Sequence, residues 1–353
     1  MRFLIWASAI TILVLPAQAS VPTQPVPTTR PYAKIGPAFS LRAAPFEFHS
    51  GFWINLHHFL YLQALPSRAT RLSPLSAMSG PDRKIWDEVV TLYRDTMVQR
   101  DFVSDANLQH IDTYLAKMES ATEIGSETIG SDVATALTRA APIYRRYWWP
   151  QHDAANQFWI KLAQPLVMSL AEQMRTQLTQ AYEARWPSRM IRVDVSVYAN
   201  WGGAYTNTED DDQVHTVMSS TEPGYRGLAA LEMLFHEASH GIVDGETGKL
   251  GEAITAQAKM HGIAVPEELW HALIFYTTGE LARRDLDGVG VHDYEPYAEK
   301  QGLWERGWQD YRSVLALFWG AHLDGHLSLD DAISQIMGAL AVVQARPDAV
   351  QAR

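Results

Sequence analysis

Residues 191–198 read Ile-Arg-Val-Asp-Val-Ser-Val-Tyr, apolar and polar in alternation, and this period of two interrupts a chain otherwise patterned for helices. Alternation carried by β-branched residues marks a half-buried strand. Residues 214–219 predict a short edge strand, and 201–206, with Gly202 and Gly203, either bend the first strand or begin another. Elsewhere apolar residues recur at spacings of three and four. Windows 83–102, 106–118, 131–147 and 157–186 predict helices before the strands, with Pro150 and Pro187 as punctuation. Windows 227–242, 250–261, 266–285, 304–319 and 330–343 predict helices after them, around a Gly/Asp/Pro-rich loop at 286–302. The expected fold is mainly α with a small β-sheet, α+β in class. A helical N-terminal region over 46–190 precedes a region over 191–345 that holds the strands and the C-terminal helices.

The two ends of this pattern bear on where the chain works. Met1-Arg2, an apolar run over 3–15 and Ala17-Gln18-Ala19 predict a cleavable signal peptide over 1–19, hence a periplasmic or secreted protein with no stable membrane insertion after cleavage. Residues 20–45, rich in Pro, Thr and Ala, read as a flexible linker. A formal charge of -11 without a basic stripe argues against a nucleic-acid partner. There is no cysteine, so any metal must be held by His, Asp or Glu, a donor set that suits a catalytic zinc.

The chemistry concentrates in Leu234-Phe235-His236-Glu237-Ala238-Ser239-His240-Gly241. Four helical steps turn about 400°, so His236 and His240 stand one turn apart and only about 40° apart around the axis. Both imidazoles can meet one Zn²⁺ from the same side. Glu237, about 100° round, can reach an activated water without being a ligand, as a general base must. Leu231, Leu234, Phe235, Ala238 and Ile242 give this helix a buried stripe, and Gly241 helps to end or loosen it.

Strand, short edge strand, H-E-x-x-H helix and following helix resemble the zincin class of metallopeptidases over about residues 190–285. The resemblance implies a zincin-like catalytic region within 191–345, hydrolysis of a peptide or protein substrate, and an extended substrate paired with a strand beside the helix, for which 214–219 is the candidate. Glu246 stands six beyond His240 where metzincins carry a third His, and no N-E-x-x-S-D motif is evident, so the subfamily is unassigned.

A hydrolytic zinc usually keeps three protein ligands. His271 is the first choice for the third: it sits among Leu269, Trp270, Leu273, Ile274 and Phe275, where an imidazole needs a partner. Glu267, one turn earlier, is a candidate acceptor for its other nitrogen. Glu280, nine residues on and on the opposite face, fits the gluzincin habit, although Arg283 and Arg284 lie at ion-pairing distance along the helix. Glu252 is the weakest option. Tyr294, Tyr297 and His292 are candidates to steady a developing oxyanion, and Tyr276 belongs to the Glu280 face. His57 and His58 read as surface histidines, residues 144–150 as core aromatics, and 209–212 as a solvated acidic turn. Two rival functions stay open: a zinc amidase acting on cell-wall peptides, and a non-catalytic metal-binding or scaffold protein.

Overall fold

The computed structural model describes residues 39–66, 78–207, 213–243 and 248–344. The signal peptide expected over 1–19, most of the expected linker and the acidic turn at 209–212 lie outside the described residues. The fold is α+β: helices dominate, around a mixed sheet of five strands.

The strands are β1 (Phe39–Ala43), β2 (Phe46–Ser50), β3 (Ile191–Ser196), β4 (Ala204–Asn207) and β5 (His215–Ser219), in spatial order β1-β2-β3-β5-β4. The central pairs β2–β3 and β3–β5 are parallel, and the two outer pairs are antiparallel. Two expectations are corrected here. The end of the expected linker is strand β1, a hairpin partner of β2, because Phe39 and Leu41 pack against the core while Ser40 and Arg42 face out. The expected edge strand, β5, is instead internal, with all five residues buried between β3 and β4. The edge belongs to β4, which turns back antiparallel onto β5 after Gly203.

Helices cover both faces of the sheet. On one side lie α1 (Phe52–Ala64), α2 (Gly80–Thr96), α3 (Ala106–Met118), the single turn α4 (Ser126–Ile129) and α5 (Ser131–Tyr147), which share a core with Val197, Tyr205 and Val217. Two of these helices start on side-chain caps: Ser79 accepts from the Asp82 amide and Asp105 from the Leu108 amide, each satisfying an orphan donor. On the other side the long α6 (Trp149–Ala181) packs on β1, β2 and β3, and Phe46, Phe48, Ile191, Val193 and Val195 face it. The same core takes in α7 (Ala229–His240), α8 (Gly248–His261) and α9 (Leu269–Gly288). Short α10 (Tyr297–Lys300), α11 (Tyr311–Val314) and α12 (Gly320–Leu323) follow, α11 and α12 being joined by one π-wound turn, and α13 (Leu329–Gln344) ends the described chain. Among the described residues, no helix is long and apolar enough to cross a membrane.

His57 and His58 are fully buried rather than on a surface. Their helix, α1, is enclosed by α2, α3, α5 and β3 and has no solvent face. Three of their four ring nitrogens are met internally, and His57 Nε2 has no hydrogen-bond partner among the described residues. His58 Nδ1 donates to the Ala199 carbonyl at 2.8 Å, and its Nε2 lies 3.3 Å from Asp112 Oδ1. Tyr205 donates to Asp112 Oδ2 at 2.7 Å, and His57 Nδ1 lies 2.8 Å from the Tyr93 hydroxyl. Residues 144–150 match expectation, with Tyr144 and Trp148 buried in the core.

Candidate metal centre

Every residue of α7 from Ala230 to Ser239 is buried. Leu231, Leu234, Phe235 and Ala238 hold it in the core, Phe235 meeting the Phe46 ring edge-on at 5.1 Å. The helix ends at Gly241, whose backbone is right-handed (φ -79°). The glycine is needed for space: a Cβ there would lie 2.7 Å from Val214 Cγ2 and 2.8 Å from Cγ1, just before β5. This contact places the C-terminal turn of α7 close against the sheet.

Three imidazoles converge at that turn. The Nε2 atoms of His236 and His240 lie 3.3 Å apart, and those of His236 and His271 lie 3.4 Å apart. Their ring centroids form a near-equilateral triangle of 5.0, 5.3 and 5.1 Å. One donor atom from each histidine falls within 4.8 Å of the others. Tetrahedral ligation with Zn–N bonds of about 2.0–2.1 Å requires N···N separations of about 3.3–3.4 Å, so the two separations from His236 Nε2 match those around a zinc ion. Burial, then the neighbouring His240 and His271, pulls the His236 pKa well below its usual value; burial, then His271, lowers that of His240 to about 3. These histidines are thus held neutral, the form that ligates metal. His236 Nδ1 is buried with no hydrogen-bond partner among the described residues.

The third histidine arrives on α9, which packs along α7. Glu268 precedes the helix in a left-handed conformation (φ 56°), and its carboxylate reaches forward to His271 Nδ1 at 3.1 Å. The acceptor behind His271 is therefore Glu268 and not Glu267, whose side chain is exposed. Glu280 points away from the triad and binds Arg283 at 2.7 and 2.8 Å and Arg284 at 2.6 Å; Tyr276 shares its surroundings. Glu252 is exposed on α8.

Glu237 is 4% exposed and faces β4. The Thr206 hydroxyl lies 2.8 Å from Glu237 Oε2, 2.8 Å from the Glu237 carbonyl oxygen and 3.1 Å from Thr216 Oγ1. Burial raises the Glu237 carboxyl to about 7, against the opposing pull of the Thr206 hydrogen bond. A buried carboxyl raised toward neutrality on the residue that follows His236 is suited to moving protons.

Aromatic rings line the rest. Phe275 stands 3.9 Å from the His236 ring, Trp270 stacks at 5.2 Å on His271, and Trp308 meets His271 edge-on at 5.7 Å. Tyr297 stacks on Phe275 at 6.0 Å, and Tyr225 lies 5.4 Å from Tyr297. Glu232, one turn before His236, anchors this wall. It accepts from the Tyr294 hydroxyl at 2.5 Å and from the Tyr297 amide at 2.9 and 3.1 Å, and burial raises its carboxyl to about 7. Of the expected oxyanion candidates, Tyr294 is committed to Glu232 and His292 is exposed and bound to Asp287 at 2.6 Å, which leaves Tyr297 at the site.

Thr206, Tyr225, Glu232 and Glu268 were not nominated by the sequence. Glu232 had a signal, since it continues the i, i+4 stripe of His236 and His240 one turn back, and so had Glu268, three residues before His271; Thr206 and Tyr225 act from segments distant in sequence, which periodicity does not bridge. No known protein family, no curated protein and no solved structure matches this chain.

Proposed function

We propose that this chain is a zinc-dependent hydrolase, a zincin-like metallopeptidase in which His236, His240 and His271 hold the metal and Glu237 is the general base. The observation that carries the reading is the convergence of three imidazoles, with the His240 and His271 Nε2 atoms 3.3 and 3.4 Å from that of His236, on the helix that also carries the buried Glu237. Zinc bound there supplies Lewis-acid activation of water and of the scissile carbonyl. Glu237 takes the proton from the attacking water and returns it to the leaving amine, with Thr206 orienting its carboxylate. Tyr297 is the candidate to donate to the developing oxyanion.

The substrate strand of this proposal is β4. Ser219 donates to the Gly203 carbonyl at 2.9 Å, so alternation along an antiparallel pair turns the peptide groups of Tyr205 and Asn207 toward β5 and those of Ala204 and Thr206 outward. An extended peptide adding to that outer edge lies beside Glu237, whereas internal β5 has no free edge. The N-terminal pattern supports action in the periplasm or outside the cell.

The test combines metal analysis with turnover. The purified protein is expected to carry one zinc, lost in His236→Ala. Chelator-sensitive cleavage of peptides, or of cell-wall peptide amides, is expected to vanish in Glu237→Gln while zinc stays bound. Zinc without turnover on either substrate class would refute the enzyme and leave a metal-binding frame; absence of stoichiometric metal would refute the centre itself.

A further inference from the structure

Trp201 is 79% exposed, in the turn that leads into β4. It is not loose: its indole N–H donates to Asp101 Oδ2 at 2.8 Å, and the other oxygen of that carboxylate accepts from the Val103 amide at 2.8 Å. Val103 is itself 52% exposed. One carboxylate thus holds the Trp201 indole and the Val103 main chain at the same point of the surface. An indole held this way shows solvent a broad apolar face at little further entropic cost when something packs on it.

The turn is continuous with the candidate centre. Tyr225 donates to the Gly202 carbonyl at 2.7 Å. Gly203 adopts φ +94°, and a Cβ there would lie 2.9 Å from Tyr225 Cε2, so the tyrosine ring rests directly on the turn. From Tyr225 the wall runs through Tyr297 and Phe275 to His236. On the other side the same turn feeds β4, whose Thr206 touches Glu237. Trp201 precedes Thr206 by five residues, at most about 17 Å of chain, which corresponds to about three to five residues of an extended peptide.

We propose that Trp201, with Val103, forms an outer subsite that receives a large apolar side chain of an extended peptide, about three to five residues from the scissile bond. This rests on the peptidase reading, with β4 as the substrate edge. The enzyme then selects extended polypeptide segments over di- and tripeptides, and selects them by an apolar residue distant from the cleaved bond.

The experiment uses the zinc-loaded full chain and three fluorogenic peptides sharing one cleaved core: a short one, a long one with leucines at the outer positions, and a long one with alanines there. The wild type is expected to prefer the long leucine peptide over the long alanine peptide by about tenfold in kcat/KM, the value of burying one such side chain. Trp201→Ala is expected to erase that preference with under about twofold change on the short peptide, and Trp201→Phe to restore most of it. An unaltered preference in Trp201→Ala, a loss equal on all three peptides, or a wild type indifferent to the outer residues overturns the subsite. If none of the three is cleaved, the hydrolase reading itself falls and the subsite with it, an outcome distinct from the others.

Discussion

Replacing Glu268 by Ala tests the metal centre without requiring a substrate. Its carboxylate lies 3.1 Å from His271 Nδ1, the nitrogen opposite the one that faces His236. A carboxylate there fixes the tautomer, aims the ring and raises its basicity; loss of such a partner costs about 10–100-fold in metal affinity. The Glu268 side chain is 50% exposed, and solvent screens the pair, so the lower end applies. The expected loss is about tenfold in zinc affinity, roughly 1.4 kcal/mol. Competition against a chromophoric chelator at fixed pH measures it, with Glu268→Gln losing less because its amide oxygen still accepts. Glu267→Ala is the control, since that side chain is exposed and, among the described residues, hydrogen bonding engages its main-chain carbonyl, through Tyr311. Unchanged affinity in Glu268→Ala, or an equal loss in Glu267→Ala, would refute the assignment of His271 as a ligand supported from behind.

Two further outcomes concern stability. In Gly241→Ala the new methyl meets both Val214 methyls within 2.8 Å, an overpacking of about 1–3 kcal/mol that lowers Tm by several degrees; Val214→Ala should recover much of it, and an unmoved Tm would contradict the close approach of α7 to the sheet. Burial pushes His57 down to about 4 and His152 to about 3. The unfolded chain takes up these protons near pH 6.5 and the folded chain does not, so stability is full above 6.5 and falls as the pH drops toward 4, by on the order of 3 kcal/mol for each histidine. Urea melts at pH 7, 5.5 and 4 should show this loss, and a midpoint that stays constant would sink it.

How far the sequence led can be judged from particular elements. The helices expected over 106–118 and 131–147 are α3 and α5 to the residue, because the 3.6-residue period is a local property. β3 was legible from its alternation. β1 was hidden by a neighbourhood rich in Pro and Thr, although Phe39 and Leu41 alternate with polar residues. The histidines of α1 were misplaced by their polarity, although residues 52–62 are apolar nearly all round, the local pattern of a helix without a wet face. Their burial is set by α2, α3 and α5, which lie far along the chain.

His236, Glu237 and His240 needed only the geometry of a single helix: a pitch of 3.6 residues is enough to put two imidazoles on one side and a carboxylate beside them. The same geometry showed that His271 and Glu280 cannot face one point together. It could not choose between them, because the choice depends on which side of α9 meets α7. Tertiary packing decided that, and with it the seating of Glu237 under Thr206 and the exchange of β5 for β4 at the edge, whereas the use of Glu268 in place of Glu267 follows from the left-handed turn three residues before His271. Strand order and helix docking arise from contacts between residues distant in sequence, where neither periodicity nor capping carries information.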